Sequence, residues 1–235
     1  MVDKAKIRSL PIFAHLAESD FEDVHGAAVR RSFAAGANVF EQGNIADHFF
    51  VLLDGRLRVT QVTAEGQQII VRIVNPGDLF GIAKALQRTD YPGTATAVSD
   101  SLVLSWPMAR WSDFMGSYPS MAMSAMHTMG TRLQEAQARM RELATEEVER
   151  RVAHAVLRLG EQSGREEGGG IRIDFPVSKQ DIAEMTGTTL HTVSRILTAW
   201  ENAGLVVGGR QKLFLKDRNR LSLIGDGVTP GLLGG

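Results

Sequence analysis

The stretch that decides the fold is Gly187-Thr188-Thr189-Leu190-His191-Thr192-Val193-Ser194-Arg195-Ile196-Leu197. A short helical pattern precedes it, which Ser178 can cap and which ends at Gly187. Thr189 can cap a second helix over Leu190 to Asn202. Two short helices joined by a turn that contains glycine predict a helix-turn-helix.

The second helix sorts its residues onto two faces. An apolar face, predicted to pack into the domain, repeats at helical spacing: Val193, Ile196, Leu197 and Trp200. One face away, the same spacing brings together side chains with hydrogen-bonding tips: His191, Ser194, Arg195 and Thr198. With Thr189 at the helix start and Lys212 downstream, these residues form the candidate DNA-binding surface. We expect Arg195 to contact a guanine, because its guanidinium can donate two hydrogen bonds to O6 and N7.

The segment after this helix predicts a wing. Leu205 to Val207 and Gln211 to Leu215 flank Gly208-Gly209 as a hairpin would. Between Thr188 and Arg220 there are six basic residues and two acidic ones, a local charge of +4 in a chain whose net charge is −1. Such a local positive charge favours contact with phosphates of double-stranded DNA.

A long helix is predicted upstream, from Tyr118-Pro119 to about Ala144. An apolar seam follows one of its faces in alternating steps of three and four: Met126, Met129, Leu133, Ala136, Met140 and Leu143. The other faces carry polar residues, Arg132 among them, and are interpreted as solvated. The pattern therefore predicts a parallel homodimer. Two recognition helices related by a twofold axis would read an inverted-repeat operator with half-sites about 34 Å apart.

The first part of the chain predicts a β-roll. Short β-rich runs lie between Ser32 and Leu104, and Gly43, Gly55, Gly66 and Gly77 punctuate them at intervals of eleven or twelve residues. Asp54-Gly55 and Glu65-Gly66 are interpreted as hairpin turns. A helix is expected over about Asp20 to Val29, and the glycine-rich segment Gly164 to Gly170 is expected to be a loop.

The predicted fold is α+β with four parts: an N-terminal β-roll sensor domain (1–115), a dimerisation helix (116–145), a winged helix-turn-helix (146–225) and a flexible tail (226–235). The 235 residues include no cysteine, which excludes disulfides, thiolate zinc sites and cysteine-ligated iron–sulfur clusters. No apolar run has the length of a membrane span or a signal peptide. We expect a cytoplasmic protein with no membrane partner.

This order of parts, together with Asn75-Pro76-Gly77-Asp78-Leu79-Phe80-Gly81, resembles the CRP/FNR superfamily of bacterial transcription regulators. The resemblance implies an activator that contacts DNA and RNA polymerase and senses a signal in its β-roll. It places the effector pocket at six residues: Phe80, Gly81, Ile82, Thr94, Ala136 and Gln137. It also implies an altered base preference at His191, where the family usually has glutamate.

A cyclic-nucleotide-responsive regulator of the same fold is the alternative. The cyclic-AMP branch has a glutamate after the glycine that corresponds to Gly81, and an arginine about ten residues later. This chain has Ile82-Ala83-Lys84 after Gly81 and no arginine in Tyr91 to Ala95. Arg88 lies a few residues early, and a shifted loop could bring it into place. The resemblance therefore favours a different signal.

The segments Thr60 to Gln68 and Tyr91 to Val98 resemble the nitric-oxide-responsive regulators of denitrification, which implies haem as a cofactor. Haem iron needs an axial ligand, and His127 on the long helix is the candidate among six histidines. A cupin-like metalloenzyme is the enzyme alternative, but His48 is the only histidine in the strand region. The sequence shows no nucleophile and base at a recognisable spacing, so we expect no enzyme activity.

Overall fold

A computed structural model describes residues 3–209 and 211–228. The chain forms two compact units. The first comprises Met1–Gln67 and Val71–Ala136, and the second comprises Gln68–Ile70 and Gln137–Gly235. In the described residues, no helix combines the length and the apolar character that crossing a membrane requires.

The first unit is a β-roll with helices at both ends. Its helices are α1 (Lys4–Arg8), α2 (Glu18–Gly26), α3 (Trp111–Ser117) and the start of α4 (Pro119–Thr145), with short 3-10 turns at Ala83–Leu86 and Met108–Arg110. Its strands are β1 (Val29–Phe33), β2 (Asn38–Phe40), β3 (His48–Asp54), β4 (Leu57–Val62), the part of β5 (Gln68–Val74) that follows Ile70, β6 (Leu79–Phe80), β7 (Thr94–Ala97) and β8 (Ser101–Pro107). They form two four-stranded sheets, ordered β1-β8-β3-β6 and β2-β7-β4-β5.

The core of the β-roll lies between these sheets and the helices that close it. Every residue from Phe49 to Leu53 on β3 is buried, as is typical of a strand covered on both faces. Trp106 of β8 is buried and donates its indole N–H to the Val24 carbonyl at 2.8 Å. This hydrogen bond satisfies the polar group of a buried side chain and connects α2 to the sheet.

One of the two predicted hairpin turns is confirmed and the other is wrong. Glu65-Gly66 joins β4 to β5, which are neighbours in one sheet. Asp54-Gly55 instead joins β3 to β4, which lie in different sheets, so this turn carries the chain across the β-roll. The N-terminal helix also ends earlier than predicted, at Gly26, because Val29 pairs with Ser105 as the first residue of β1.

The second unit contains the end of α4 and a winged helix-turn-helix. Its further elements are α5 (Val148–Ser163), β9 (Gly164–Glu167), β10 (Gly170–Ile173), α6 (Lys179–Thr186), α7 (Leu190–Asn202), β11 (Val206–Gly209), β12 (Lys212–Leu215) and α8 (Arg218–Gly225). Their sheet has the order β11-β12-β10-β9. The segment Gly164 to Gly170, expected to be a loop, is mostly strand: β9 and β10 pair across Gly168 and Gly169, whose φ angles of 56° and 82° allow the reversal.

The two helices of the helix-turn-helix begin and end as predicted. Ser178 and Asp181 form a reciprocal capping box at the start of α6, and Gly187 ends this helix in the left-handed region at φ 61°. Thr189 caps α7 by accepting a hydrogen bond from the Thr192 N–H. Residues 229–235 of the predicted tail lie outside the described residues.

Candidate DNA-binding surface and ligand cavity

Helix α7 has the two faces that its sequence predicts. Val193, Ile196, Leu197 and Trp200 are all buried. His191, Arg195 and Thr198 are exposed on the other side, and Ser194 is half-buried. Because the apolar face holds the helix in the domain, the polar face is presented to the outside as a rigid unit.

The start of α7 adds hydrogen-bonding groups to this surface. Thr189 is exposed, and its hydroxyl lies 2.9 Å from that of Thr192. The Lys179 ammonium at the start of α6 donates a hydrogen bond to the Ser194 hydroxyl at 3.3 Å. Lys179 therefore lies beside the predicted base-reading residues, although sequence reasoning did not select it. Its position at the first residue of α6 was the available signal, since helix N-termini commonly contact phosphate.

The wing presents a further cation. Lys212 is exposed at the start of β12, whereas Leu213 and Leu215 of the same strand are buried. Two other basic residues of this region have partners, because Arg218 pairs with Glu161 at 2.6 Å and Arg220 donates to the Ala203 carbonyl at 3.4 Å. Within the described part of the chain, Arg195 and Lys212 make no ion pair, so both charges are available to an anionic partner.

The predicted seam of α4 is mostly exposed in the single chain. Met126, Leu133, Met140 and Leu143 are 65%, 60%, 65% and 54% exposed, and Ala136 is exposed as well. Met129 differs, because it is half-buried and packs against the core of the β-roll. Large apolar side chains that are exposed in a row along one helix indicate an interaction surface, which another apolar surface would cover.

A cavity of about 180 Å³ lies within the β-roll. Aromatic rings form one wall, where Phe40 stacks on Tyr91 with ring centroids 3.9 Å apart. Most of the lining is apolar: Phe40, Val59, Val71, Phe80, Gly81, Ile82, Ala83, Leu86, Tyr91, Pro92 and Gly93. The remaining lining residues are Gln61, Arg72 and Arg132. Such a lining, apolar with a few polar groups, is typical of a small-molecule site.

Three of the polar lining groups already have partners. The Gln61 amide donates to the Pro92 carbonyl at 2.9 Å, and Arg72 pairs with Asp78 at 2.7 Å. The Tyr91 hydroxyl donates to the His48 carbonyl at 2.7 Å. Burial raises the pKa of Tyr91 to about 12, so the phenol stays protonated.

Arg132 is the lining residue that sequence reasoning missed. Its position outside the seam suggested a solvated face, but the side chain is partly buried in the cavity wall and donates to the Leu79 carbonyl. Desolvation by burial, with a smaller effect of the Arg72 charge, lowers the pKa of Arg132 to about 9. Nothing in the sequence indicated this burial, because an arginine on the polar side of a helix is expected to be solvent-exposed.

The predicted effector residues divide into two groups. Phe80, Gly81 and Ile82 line the cavity, whereas Thr94 and Ala136 do not. The Thr94 hydroxyl accepts a hydrogen bond from the Gln42 N–H at 3.0 Å, and Gln137 belongs to the second unit. Arg88, the possible substitute for a phosphate-binding arginine, pairs with Asp90 at 2.8 Å and is also absent from the lining.

The described residues do not fit haem in this cavity. The lining contains no histidine or methionine, and the Tyr91 oxygen is held by the His48 backbone. His127 is exposed on α4 and is not a lining residue. The described ranges 3–209 and 211–228 also contain no group of three histidine, aspartate or glutamate side chains that could hold a metal ion.

Two protein families match the two units of the chain. A family described as "Cyclic nucleotide-binding domain" matches residues 30–118, and one described as "Crp-like helix-turn-helix domain" matches residues 150–224. The first match includes β2 to β8 and most of β1, and the second extends from the first turn of α5 to near the end of α8. These matches agree with the division of the chain into a β-roll and a helix-turn-helix.

Curated relatives and a solved structure extend over most of the chain. The "Cyclic AMP receptor protein" of Thermus thermophilus is 26% identical over 223 residues, which are 95% of this chain and 100% of the relative. The "Nitrogen fixation regulation protein FixK" of Azorhizobium caulinodans is 28% identical, and the matched region covers 80% of this chain and 76% of the FixK chain. The structure of FixK2 from Bradyrhizobium japonicum has a TM-score of 0.73 at 23% identity, covering 83% of this chain and 96% of FixK2, and it shows the same fold.

Proposed function

We propose that the chain is a DNA-binding transcription regulator of the CRP/FNR type with a cyclic nucleotide-binding-like sensor domain, and that it binds an inverted-repeat operator as a homodimer under the control of a small molecule. The observation that carries this proposal is the exposed polar face of α7, which is held in place by four buried side chains. A recognition helix presented in this way can enter a major groove.

The residues of the DNA surface have separate roles in this proposal. Arg195 contacts a guanine edge, and Ser194 and His191 contact neighbouring bases. Thr189 and the N-terminus of α7 hold a phosphate of the DNA. Thr198 and Lys212 contact the sugar-phosphate backbone farther along the duplex. An imidazole offers at most one acceptor nitrogen where a carboxylate offers two oxygens, so His191 should change the preference at the base that a glutamate would contact.

The exposed seam of α4 supports the homodimer. Two copies of Met126, Leu133, Ala136, Met140 and Leu143 would cover each other in a parallel pair of helices. The twofold axis would then place two α7 helices about 34 Å apart, in successive major grooves. RNA polymerase is the partner that an activator of this type would contact.

The cavity of the β-roll is the effector site in this proposal, and the effector is not a cyclic nucleotide. Arg88 is paired with Asp90, and the lining lacks a carboxylate that could bind a ribose hydroxyl. The cavity, at about 180 Å³, is also small for a nucleotide, since typical drug-sized sites begin at about 300 Å³. Calorimetric titration with cyclic AMP checks this point, and micromolar affinity would contradict it.

The experiment that tests the DNA-binding function is selection of binding sites from random duplexes by the full-length protein. We expect an inverted repeat with half-site centres one helical turn apart. Arg195→Ala should lose preference at one guanine in each half-site, and the recovery of unrelated sequences by the wild type would overturn the proposal.

The lining of the cavity does not fit haem, so the finer proposal, a response to nitric oxide through haem, rests on the sequence resemblance of the hairpin segments alone. It is tested by an absorption spectrum of protein purified from cells supplied with a haem precursor, before and after nitric oxide is added. A Soret band that shifts with nitric oxide would support this signal. Its absence would leave the cavity of the β-roll as the sensor.

A further inference from the structure

Arg132 is an unusual group for the wall of a mainly apolar cavity. A guanidinium carries five N–H donors, and among the described residues Arg132 donates to one backbone carbonyl, that of Leu79. In the described part of the chain Arg132 makes no ion pair. A partly buried cation without a counter-ion is unfavourable, because burial removes hydration that a lone carbonyl does not replace.

The charges around Arg132 balance in number, two arginines against two carboxylates, but they are not equally paired. Arg72 and Asp78 neutralise each other, and the same Asp78 oxygen accepts a second hydrogen bond from the Asn75 N–H at 3.0 Å. The charges of Asp78 and, to a smaller extent, Glu135 favour the charged form of Arg132. The positive charge of Arg132 is therefore the one that a ligand in the cavity would meet.

The size of the cavity limits the body of that ligand. A cavity of about 150 Å³ accommodates benzene, and typical drug-sized sites begin at about 300 Å³. The value here is about 180 Å³, which suits one ring or a short chain with one small polar group. The stacked rings of Phe40 and Tyr91 form a flat wall against which such a body can pack.

We propose that the effector is a small monocarboxylate with an apolar body, whose carboxylate pairs with Arg132 and whose body packs against Phe40, Tyr91 and Phe80. This inference rests on the proposed function, because it identifies the class of molecule that the regulator senses. A carboxylate matches the planar guanidinium with two parallel hydrogen bonds. A phosphate would demand more donors, and Arg72 is already paired with Asp78.

The test is calorimetric titration of the full-length protein with three probes, benzoate, phenylacetate and hexanoate, and with benzamide and hexanamide as neutral matches. We expect at least one carboxylate to bind, and its amide to bind at least tenfold more weakly. Arg132→Gln should weaken carboxylate binding by about tenfold or more, because a charge-assisted pair is lost. Arg132→Lys keeps the positive charge but loses the two parallel N–H donors of the guanidinium, so it should recover part of the affinity.

Arg141→Gln is the matched control, because Arg141 is an exposed arginine of the same helix. It should leave carboxylate binding unchanged. Three results would overturn the proposal: no binding of any of the three carboxylates at about 10 mM, equal binding of acid and amide, or full affinity in Arg132→Gln. If Arg132→Gln does not fold, the comparison of acid with amide on the wild type decides.

Operator binding is measured separately with and without the bound carboxylate. If the carboxylate binds through Arg132 but operator affinity is unchanged, the ligand class is supported and the regulatory role of the cavity fails. If operator affinity responds to another kind of molecule while carboxylates do not bind, the proposed function stands and this inference is wrong.

Discussion

The indole N–H of Trp200 donates a hydrogen bond to the Glu149 carboxylate at 2.8 Å, which connects the recognition helix α7 to α5. Trp200 is only 2% exposed, so its N–H depends on this acceptor. Glu149→Ala would leave a buried donor unsatisfied and should lower the free energy of unfolding by about 1–3 kcal/mol. Denaturant titration measures this change.

Glu147→Ala is the control for that prediction. Glu147 is exposed two residues earlier and makes no side-chain capping hydrogen bond at the start of α5. Its replacement should change stability by less than about 0.5 kcal/mol. Equal effects of the two substitutions would show that the hydrogen bond between Trp200 and Glu149 does not stabilise the domain.

Gly55 and Gly66 give a matched pair in the β-roll. Both have positive φ angles, 87° and 80°, but a Cβ on Gly55 would lie 2.4 Å from the Asp100 carbonyl oxygen, whereas a Cβ on Gly66 would meet nothing within 4 Å. Gly66→Ala should cost about 1–2 kcal/mol of backbone strain. Gly55→Ala should cost about 1–3 kcal/mol more, because the clash adds to the strain. Thermal unfolding compares the two, and similar midpoints would contradict the close packing at Gly55.

The seam of α4 is tested by Leu133→Asp. If two copies of the chain cover this residue, the substitution buries an unpaired charge at a cost of several kcal/mol and should shift the protein toward monomer. Light scattering across a range of concentrations measures the mass. Gln134→Asp adds the same charge on an adjacent, exposed position and should remain dimeric. A monomeric wild type at micromolar concentration would refute the dimer.

Two substitutions on the DNA-binding surface should weaken operator binding in different ways. Arg195→Ala should reduce operator affinity by about 1–3 kcal/mol and remove discrimination at one guanine. Lys212→Ala should weaken binding to all DNA sequences alike. It should also reduce the slope of log affinity against log salt concentration by about one, because one phosphate contact is lost. Fluorescence anisotropy at several salt concentrations separates the two effects. If Arg195→Ala selected the wild-type motif at full strength, the assignment of this face would be wrong.

The sequence by itself determined the elements that local chemistry controls. Capping residues and a glycine in the left-handed region set the bounds of α6 and α7, because each satisfies or reverses the backbone within a few residues. Helical periodicity likewise identified the buried and exposed faces of α7 and the exposed residues of the α4 seam. These features depend on residues close together in the chain, so the sequence alone predicts them.

Only the tertiary structure decided what depends on residues far apart. Asp54-Gly55 has the same local chemistry as a hairpin turn, but the pairing of β3 with β8 and of β4 with β7 makes it a crossing between sheets. Arg132 looked solvated in its own helix and lies 53 residues from Leu79, whose carbonyl accepts its hydrogen bond. Long-range packing sets the local burial of each charge, and burial determines whether an arginine is a surface residue or part of a binding site.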